Sequence, residues 1–440
     1  MQLRKKRVFL LLSLTLMLLS GVVSVQAQDV TLRYFMWDPS FEETEQVMVD
    51  ICAAELGVTV EFEAIGTPDY WTNLQALAAA GDLPDVFSMS SGFVDEWIAD
   101  GLLLNIQEYI DRDIMPNEED YFTGLLDVAR APDKTTGDAY AFPFAFVETV
   151  LYYNMDAFDA AGVEYPSEDG WTWDEFLAAA QALTIDEGDD GFVDQYGFWF
   201  YGRYAHIESW VYNNGGSFLS EDRTSFAPDA GAVEAVEFLV SLVQEHGVAP
   251  TRGEMEGIRQ QDVFPLGLAA MWVDGAWNID NNRTQLEGSD LRWGLAPIPQ
   301  GPSATEPQAY GWPDLMGIAS TSENPDEAWA FVNCMTGPLR TVDLTFPGKI
   351  PVYRPTAESE EWLEIGLLPE NKSFLLDWAV YTGPTSFTPG WGEWRGYVDG
   401  AGLEGLIDAA ASGDMTVEEA LAAAGETADA VLDRFYGDEE

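Results

Sequence analysis

The chain has 440 residues, 47% of them hydrophobic and 13% aromatic, enough for two domains with a large core and too apolar for a disordered chain. The formal net charge is −56, and four of the 20 cationic residues are Arg4, Lys5, Lys6 and Arg7, so the rest of the chain is near −60. Such a surface repels nucleic acid and anionic lipid headgroups and disfavours phosphorylated or carboxylated solutes, so its acidity reads as a solubility or environmental trait, not a binding device.

The N-terminus reads as an export signal. RKKR precedes the apolar run VFLLLSLTLMLLSGVV, and a Val-x-Ala ending at Ala27 predicts cleavage there, making residues 1–27 a signal peptide. No cysteine follows the apolar core, so no lipoprotein anchor is expected. The predicted location is the periplasm or the extracellular cell surface. Cys52 and Cys334 both fall in helical patterns, and either a disulfide or two buried thiols fits them.

VTLRYFMW (30–37) reads as the first strand. FEETEQVMVDICAAELG follows as a helix stopped by Gly57, then VTVEFEAI as a second strand. DYWTNLQALAAAG is a helix ending at Gly81, and PDVFSMS a third strand. Strands alternating with helices predict a parallel α/β sheet, with ligands beyond the carboxyl ends of its strands. That places Trp37, Asp38, Ser90 and Ser91 at one rim, with a core position as the other reading of Trp37. FVDEWIADGLLLNIQEYI adds a helix, a glycine turn and a second helix start.

In YAFPFAFVETVLYYNMDAFDAAGV (140–163), Tyr140, Phe142, Phe144 and Phe146 recur at period two around Pro143, so the segment is extended. Glu148 and Thr149 interrupt the apolar run before VLYYN and a short helix ending at Gly162. An acid inside a buried strand needs a partner or a cavity. Glu148 lies either at a solvent-facing edge or on the wall of a cleft crossed by the strand.

Thr172 and Glu175 form a capping box for a helix at 173–183. A second helix runs from Pro228 in its first turn to His246, with Gly247 as cap. LAAMWVDGAWNI is a strand and turn entering a helix, and YGWPDLMGIAS is strand-like with Pro313 at an interruption. NPDEAWAFVNCMTG takes Asn324 as cap, and the C-terminal helix takes Thr416 with Glu419. There is no internal repeat and no low-complexity linker.

In their order and spacing, DYWTNLQALAAAGDLPDVFSMSSG, the central segment, WTWDEFLAAAQALT and LGLAAMWVDGAWN resemble the extracellular solute-binding proteins of sugar ABC transporters, the maltose-binding-protein-like group, from about Thr31 to the C-terminus. The resemblance implies a two-lobe periplasmic-binding-protein-like α/β fold. Each lobe would be a mostly parallel sheet flanked by helices, with the ligand cleft between. It implies a first lobe of 28–146 plus 316–354 and a second of 151–308 plus 384–440. Crossings are expected near 147–150, 311–315 and 355–383. It implies binding of a neutral oligosaccharide and its delivery to membrane permease subunits, with no cofactor, no metal, no nucleic acid and a monomeric state. The candidate ligand-binding set is Trp37, Asp38, Ser90, Ser91, Glu148, Arg203, Tyr204, Gly275, Trp277, Gly311, Trp312 and Trp391.

Two rival readings are weaker. A secreted glycoside hydrolase needs paired carboxylates, one with a raised pKa, and 76 acidic residues make a pair uninformative. A lectin or adhesion module would show repeats or an anchoring tail. GAGLEG (400–405) matches G-x-G-x-x-G but no strand precedes it. DEGDDGFVDQYG (186–197) resembles a calcium loop but has Gly188 and Gly197 at two ligand positions, so it reads as an acidic turn. The only histidines, His206 and His246, are too few for a zinc site or a triad, and no nucleophile elbow is present.

Overall fold

The computed structural model describes residues 30–66, 69–188, 192–199, 203–364, 366–379, 387–396 and 402–437. The leader expected over 1–27 lies outside these, as do parts of the acidic loop (189–191), of the third expected crossing (365 and 380–383) and of the glycine-rich match (400–401).

The strands β1 (Thr31–Met36), β2 (Thr59–Ala64) and β3 (Val86–Ser90) pair in parallel, Thr31 opposite Thr59 and Tyr34 opposite Val86. They are joined by α1 (Glu42–Leu56) and α2 (Asp69–Ala80), each stopped by a glycine at φ 68°, Gly57 and Gly81, a conformation that a side chain would strain. A short helix, α3 (Val94–Ala99), follows β3.

After a two-residue ladder between Arg130–Ala131 and Asp138–Ala139, the long strand β4 runs over Ala141–Asn154, with a register shift between Pro143 and Ala145, and is buried along nearly its whole length. Its partners are β5 (Met271–Gly275), β6 (Trp293–Ala296), β7 (Gly311–Ile318) and the two-residue β8 (Ile350–Pro351). Residues 141–148 of β4 pair with β7 in a sheet ordered β8-β4-β7-β3-β1-β2. From Thr149 onward β4 pairs instead with β5 and β6. One strand therefore belongs to two sheets, and the changeover falls between Glu148 and Thr149. The sheets are mixed, not mostly parallel. Helical connections make β1–β3 parallel, whereas all four partners of β4 return against it.

Behind β5 and β6 pack α4 (Met155–Ala161), α5 (Trp173–Leu183), α6 (Tyr204–Tyr212) and α7 (Ala230–Gln244). The capping boxes at Thr172 and Thr416 are both made. The cap of α7 is Asp229, whose carboxylate accepts from the Ala232 N–H at 2.8 Å, so Pro228 precedes the cap and is not in the first turn. Asn324 sits at the cap position of its helix without a side-chain cap bond, and Pro325 opens the first turn. Cys52 and Cys334 form a disulfide that joins α1 to that helix.

Alternation along β4 decides where Glu148 points. Val147, Leu151 and Tyr153 pack in one core cluster, and Phe146, Val150 and Tyr152 in another. Glu148 takes the side of Phe146 and Val150. It is 2% exposed, and its Oε2 has no hydrogen-bond partner among the described residues. Burial pushes its carboxyl well above the usual range. The folded state thus holds this proton while the unfolded chain releases it near pH 4.3, so the contribution is full below that pH and is lost as pH rises through the folded pKa. Glu148→Gln should melt with the wild type near pH 4 and about 2–4 °C above it at pH 8, read from thermal unfolding against pH.

Candidate functional site

A cleft of about 680 Å³ opens where the two sheets meet. Trp37 and Asp38 reach it from just beyond β1, Ser90 from the end of β3, and Trp71 from the first turn of α2. Asp274 at the end of β5, Arg203 at the cap of α6 and Trp277 at the entrance to α8 (Asn278–Gln285) line the facing side. Val147 and Trp312, from the crossing strands β4 and β7, also line it.

Seven rings form a continuous belt around this cleft. Centroid separations run Trp37–Trp71 5.8 Å, Trp71–Phe93 4.5 Å, Phe93–Trp391 6.4 Å, Trp391–Phe387 4.9 Å, Phe387–Trp312 6.3 Å and Trp312–Trp277 5.7 Å. The Arg203 guanidinium lies 5.5 Å from the Trp277 ring and ends the belt as a cation–π contact. Gly275 makes the last turn possible: a Cβ there would fall 1.8 Å from the Trp277 ring, so only glycine lets the indole fold back.

The cations in the walls, Arg203 and Lys349, are each paired with a carboxylate. Asp274, 1% exposed, lies 3.5 Å from Arg203 and 3.9 Å from His206 Nε2, and accepts from Gln260 Nε2 at 3.1 Å and its neighbour's N–H at 2.8 Å. Burial pushes this carboxyl up, but Arg203, His206 and the Gly275 N–H together outweigh burial and hold it below the usual range. From β7, Asp314 accepts from Lys349 Nζ at 2.8 Å, and both residues line the cleft. The Asp38 carboxylate accepts from the Ser40 N–H at 3.1 Å, which fixes its direction at the rim.

Seven of the twelve expected residues line the cleft: Trp37, Asp38, Ser90, Arg203, Trp277, Trp312 and Trp391. Four of the others do not, for physical reasons. Ser91 is buried, its hydroxyl donating to the Pro313 carbonyl. Glu148 stands on the face of β4 opposite Val147. Gly275 acts through Trp277. Gly311 lies with Phe146 and Pro313 on a second cavity of about 700 Å³ on the other face of the crossing strands. The Tyr204 side chain lies outside the described residues. The reading missed Trp71, Phe93, Asp274, Asp314, Lys349 and Phe387. Phe93 lies three residues past Ser90, and Asp274 is an acid ending an apolar strand, so both carried a signal. Among the described residues no cluster of His, Cys, Asp or Glu is arranged to hold a metal, and no helix is long and apolar enough to cross a membrane.

Comparison with known proteins bears on this geometry. An ABC substrate-binding protein from Listeria monocytogenes, solved with cycloalternan, superposes with a TM-score of 0.77 at 22% identity, covering 93% of this chain and 100% of that one. The sugar-binding protein MalE of Xanthomonas citri gives 0.77 at 20% identity, with coverage of 93% and 100%. These likenesses carry the fold, a two-lobe periplasmic-binding-protein-like architecture. In sequence, a binding protein of Brucella abortus is 25% identical over 340 residues, 75% of this chain and 76% of its own length. A maltotriose-binding protein of Pyrococcus abyssi is 26% identical over 275 residues, 61% of this chain and 54% of its own length. The model of the bacterial extracellular solute-binding proteins matches residues 38–338, and the chain belongs to that family of exported binding proteins.

Proposed function

We propose that the protein captures a neutral oligosaccharide between its two lobes and delivers it to the permease of an ABC transporter. The observation that carries this reading is the belt of seven rings around one cleft whose cations are already paired. Aromatic faces cover the apolar faces of sugar rings, and the fixed Asp274, Asp314, Asp38 and Gln260 side chains offer hydrogen bonds to hydroxyls. Arg203 and Lys349 each face a carboxylate at 3.5 Å or less, so neither is left to attract an anion. The maltotriose named for the Pyrococcus relative and the cycloalternan held by the Listeria protein support the class.

In this reading the lobes are 28–146 with 316–354 and 151–308 with 384–440, hinged at 147–150, 311–315 and 355–383. The leader is cleaved after about Ala27, and the mature protein acts as a monomer. Binding closes the lobes and no bond is broken. A hydrolase would need a carboxyl with a raised pKa facing a second one across the sugar. Glu148 is pushed up by burial but faces away from the cleft, and Asp274 is held down.

The test is calorimetry of the purified mature protein against a panel of mono- and oligosaccharides. Saturable binding without products supports the proposal; steady release of reducing ends, abolished by one acid-to-amide change, overturns it. Within that experiment Trp277→Ala should weaken binding by about 1–3 kcal/mol with little change in melting temperature.

The charge makes a further expectation. Closing two strongly acidic lobes brings like charges together, and salt screens that repulsion with a Debye length of about 10 Å at 0.1 M. Affinity for a neutral sugar should therefore rise as sodium chloride is raised from about 0.02 to 0.5 M, measured by titration at constant pH.

A further inference from the structure

Two rings from opposite sides of the cleft interlock. Phe93 follows β3 and packs beside a first-half cluster, whereas Trp391 belongs to the core around α5 and α7. Their rings meet edge to face at 6.4 Å and 87°. Each ring rests on a glycine of the opposite segment. A Cβ on Gly92 would lie 2.8 Å from the Trp391 indole, and one on Gly392 would lie 3.0 Å from the Phe93 ring. Neither glycine has a positive φ, so no turn demands a glycine at either position; what a side chain lacks there is space.

We propose that Gly92 and Gly392 are positioning residues for closure: the Gly92–Phe93 and Trp391–Gly392 pairs form a clasp that seats the Trp391 and Phe93 rings against the bound solute and holds the halves together. The proposal rests on the sugar-binding reading only for the identity of that solute. The geometry carries it because van der Waals packing has no slack at 2.8 Å. The Trp391 ring is itself buried and backed by the Arg395 guanidinium at 5.5 Å, so a methyl group on Gly92 must push the halves apart. Gly392 lies within the helix Trp391–Arg395, where alanine is the better helix former. Alanine there should leave stability unchanged or higher while loosening closure, a pair of effects that a merely structural role would not produce.

Among the described residues the cysteines are disulfide-bonded and none is free, so a spin-label pair on Glu108→Cys and Glu418→Cys, both exposed and one on each half, reports the separation of the halves. The distance distribution is measured for wild type, Gly92→Ala, Gly392→Ala and the control Gly253→Ala, whose Cβ would meet only Thr251 Oγ1 at 3.9 Å. Each is measured free and with saturating maltotriose or the best saccharide of the panel. Gly92→Ala is expected to lower the short-distance population and to speed saccharide release by about tenfold or more, Gly392→Ala to do so less, and Gly253→Ala not at all. Distributions and release rates equal to wild type in both glycine variants overturn the clasp. If no saccharide binds, the free protein alone decides: a lengthened distance in Gly92→Ala keeps the clasp while the sugar reading falls, and an unchanged one removes the clasp.

Discussion

The architecture depends on one constraint: a single buried strand has to satisfy its backbone hydrogen bonds in two sheets. Over Ala141–Glu148 the partner is β7, and over Thr149–Asn154 the partners are β5 and β6. At the changeover no link is dropped. The Thr149 N–H donates to the Tyr310 carbonyl at 2.8 Å, and the Ala276 N–H donates to the Glu148 carbonyl at 2.8 Å. A buried amide without a partner costs far more than a bent one. The cleft opens directly beside this changeover, at Val147 and Trp312.

Electrostatics follows a second division, between an acidic exterior and compensated cleft walls. Asp274 and Asp314 are each less than a tenth exposed, and each has a cation beside it. Removing such groups from water is costly, and pairing repays the cost only with good geometry and further hydrogen bonds. Asp274 meets that condition with Gln260 and Gly275 as additional donors. These pairs are weak arguments for stability and strong ones for fixed orientation: the carboxylates and the guanidinium are held in place before any solute arrives.

Much of the fold was legible because its signals are local. Strands β1 to β3, the glycine stops at Gly57 and Gly81, and the capping boxes at Thr172 and Thr416 are each written within about a dozen residues. The sheet direction was not, since it depends on how the chain returns to β4 from more than a hundred residues away. In the site, end-of-strand positions such as Trp37 and Ser90 could be read from the rule that ligands sit beyond strand ends, whereas Trp277 was read from the family resemblance. Glu148 was misplaced because one residue of register reverses the face of a strand, and the interruption of an apolar run carries no sign for which face is which. Trp71 and Lys349 were invisible for another reason: nothing in a helix turn or a loop lysine says that a distant strand end will face it.

The wall that carries Trp391 is tied to the same changeover by a buried network. Arg395 and Glu208 are both fully buried and paired, and the Tyr310 hydroxyl donates to the same carboxylate. Arg395 also lies 3.7 Å from Glu404 and within 5.5 Å of the Trp391 and Trp394 rings. Tyr310 thus works twice: its carbonyl receives Thr149 at the crossing, and its side chain reaches the ion pair that fixes the helix bearing Trp391. An apolar replacement of the whole network could be equally stable, but it would let that helix rotate about its own axis, since only directional bonds distinguish one azimuth from the next. The helix that bears Trp391 and the crossing of β4 between its two sheets therefore share one set of contacts, with Tyr310 common to both.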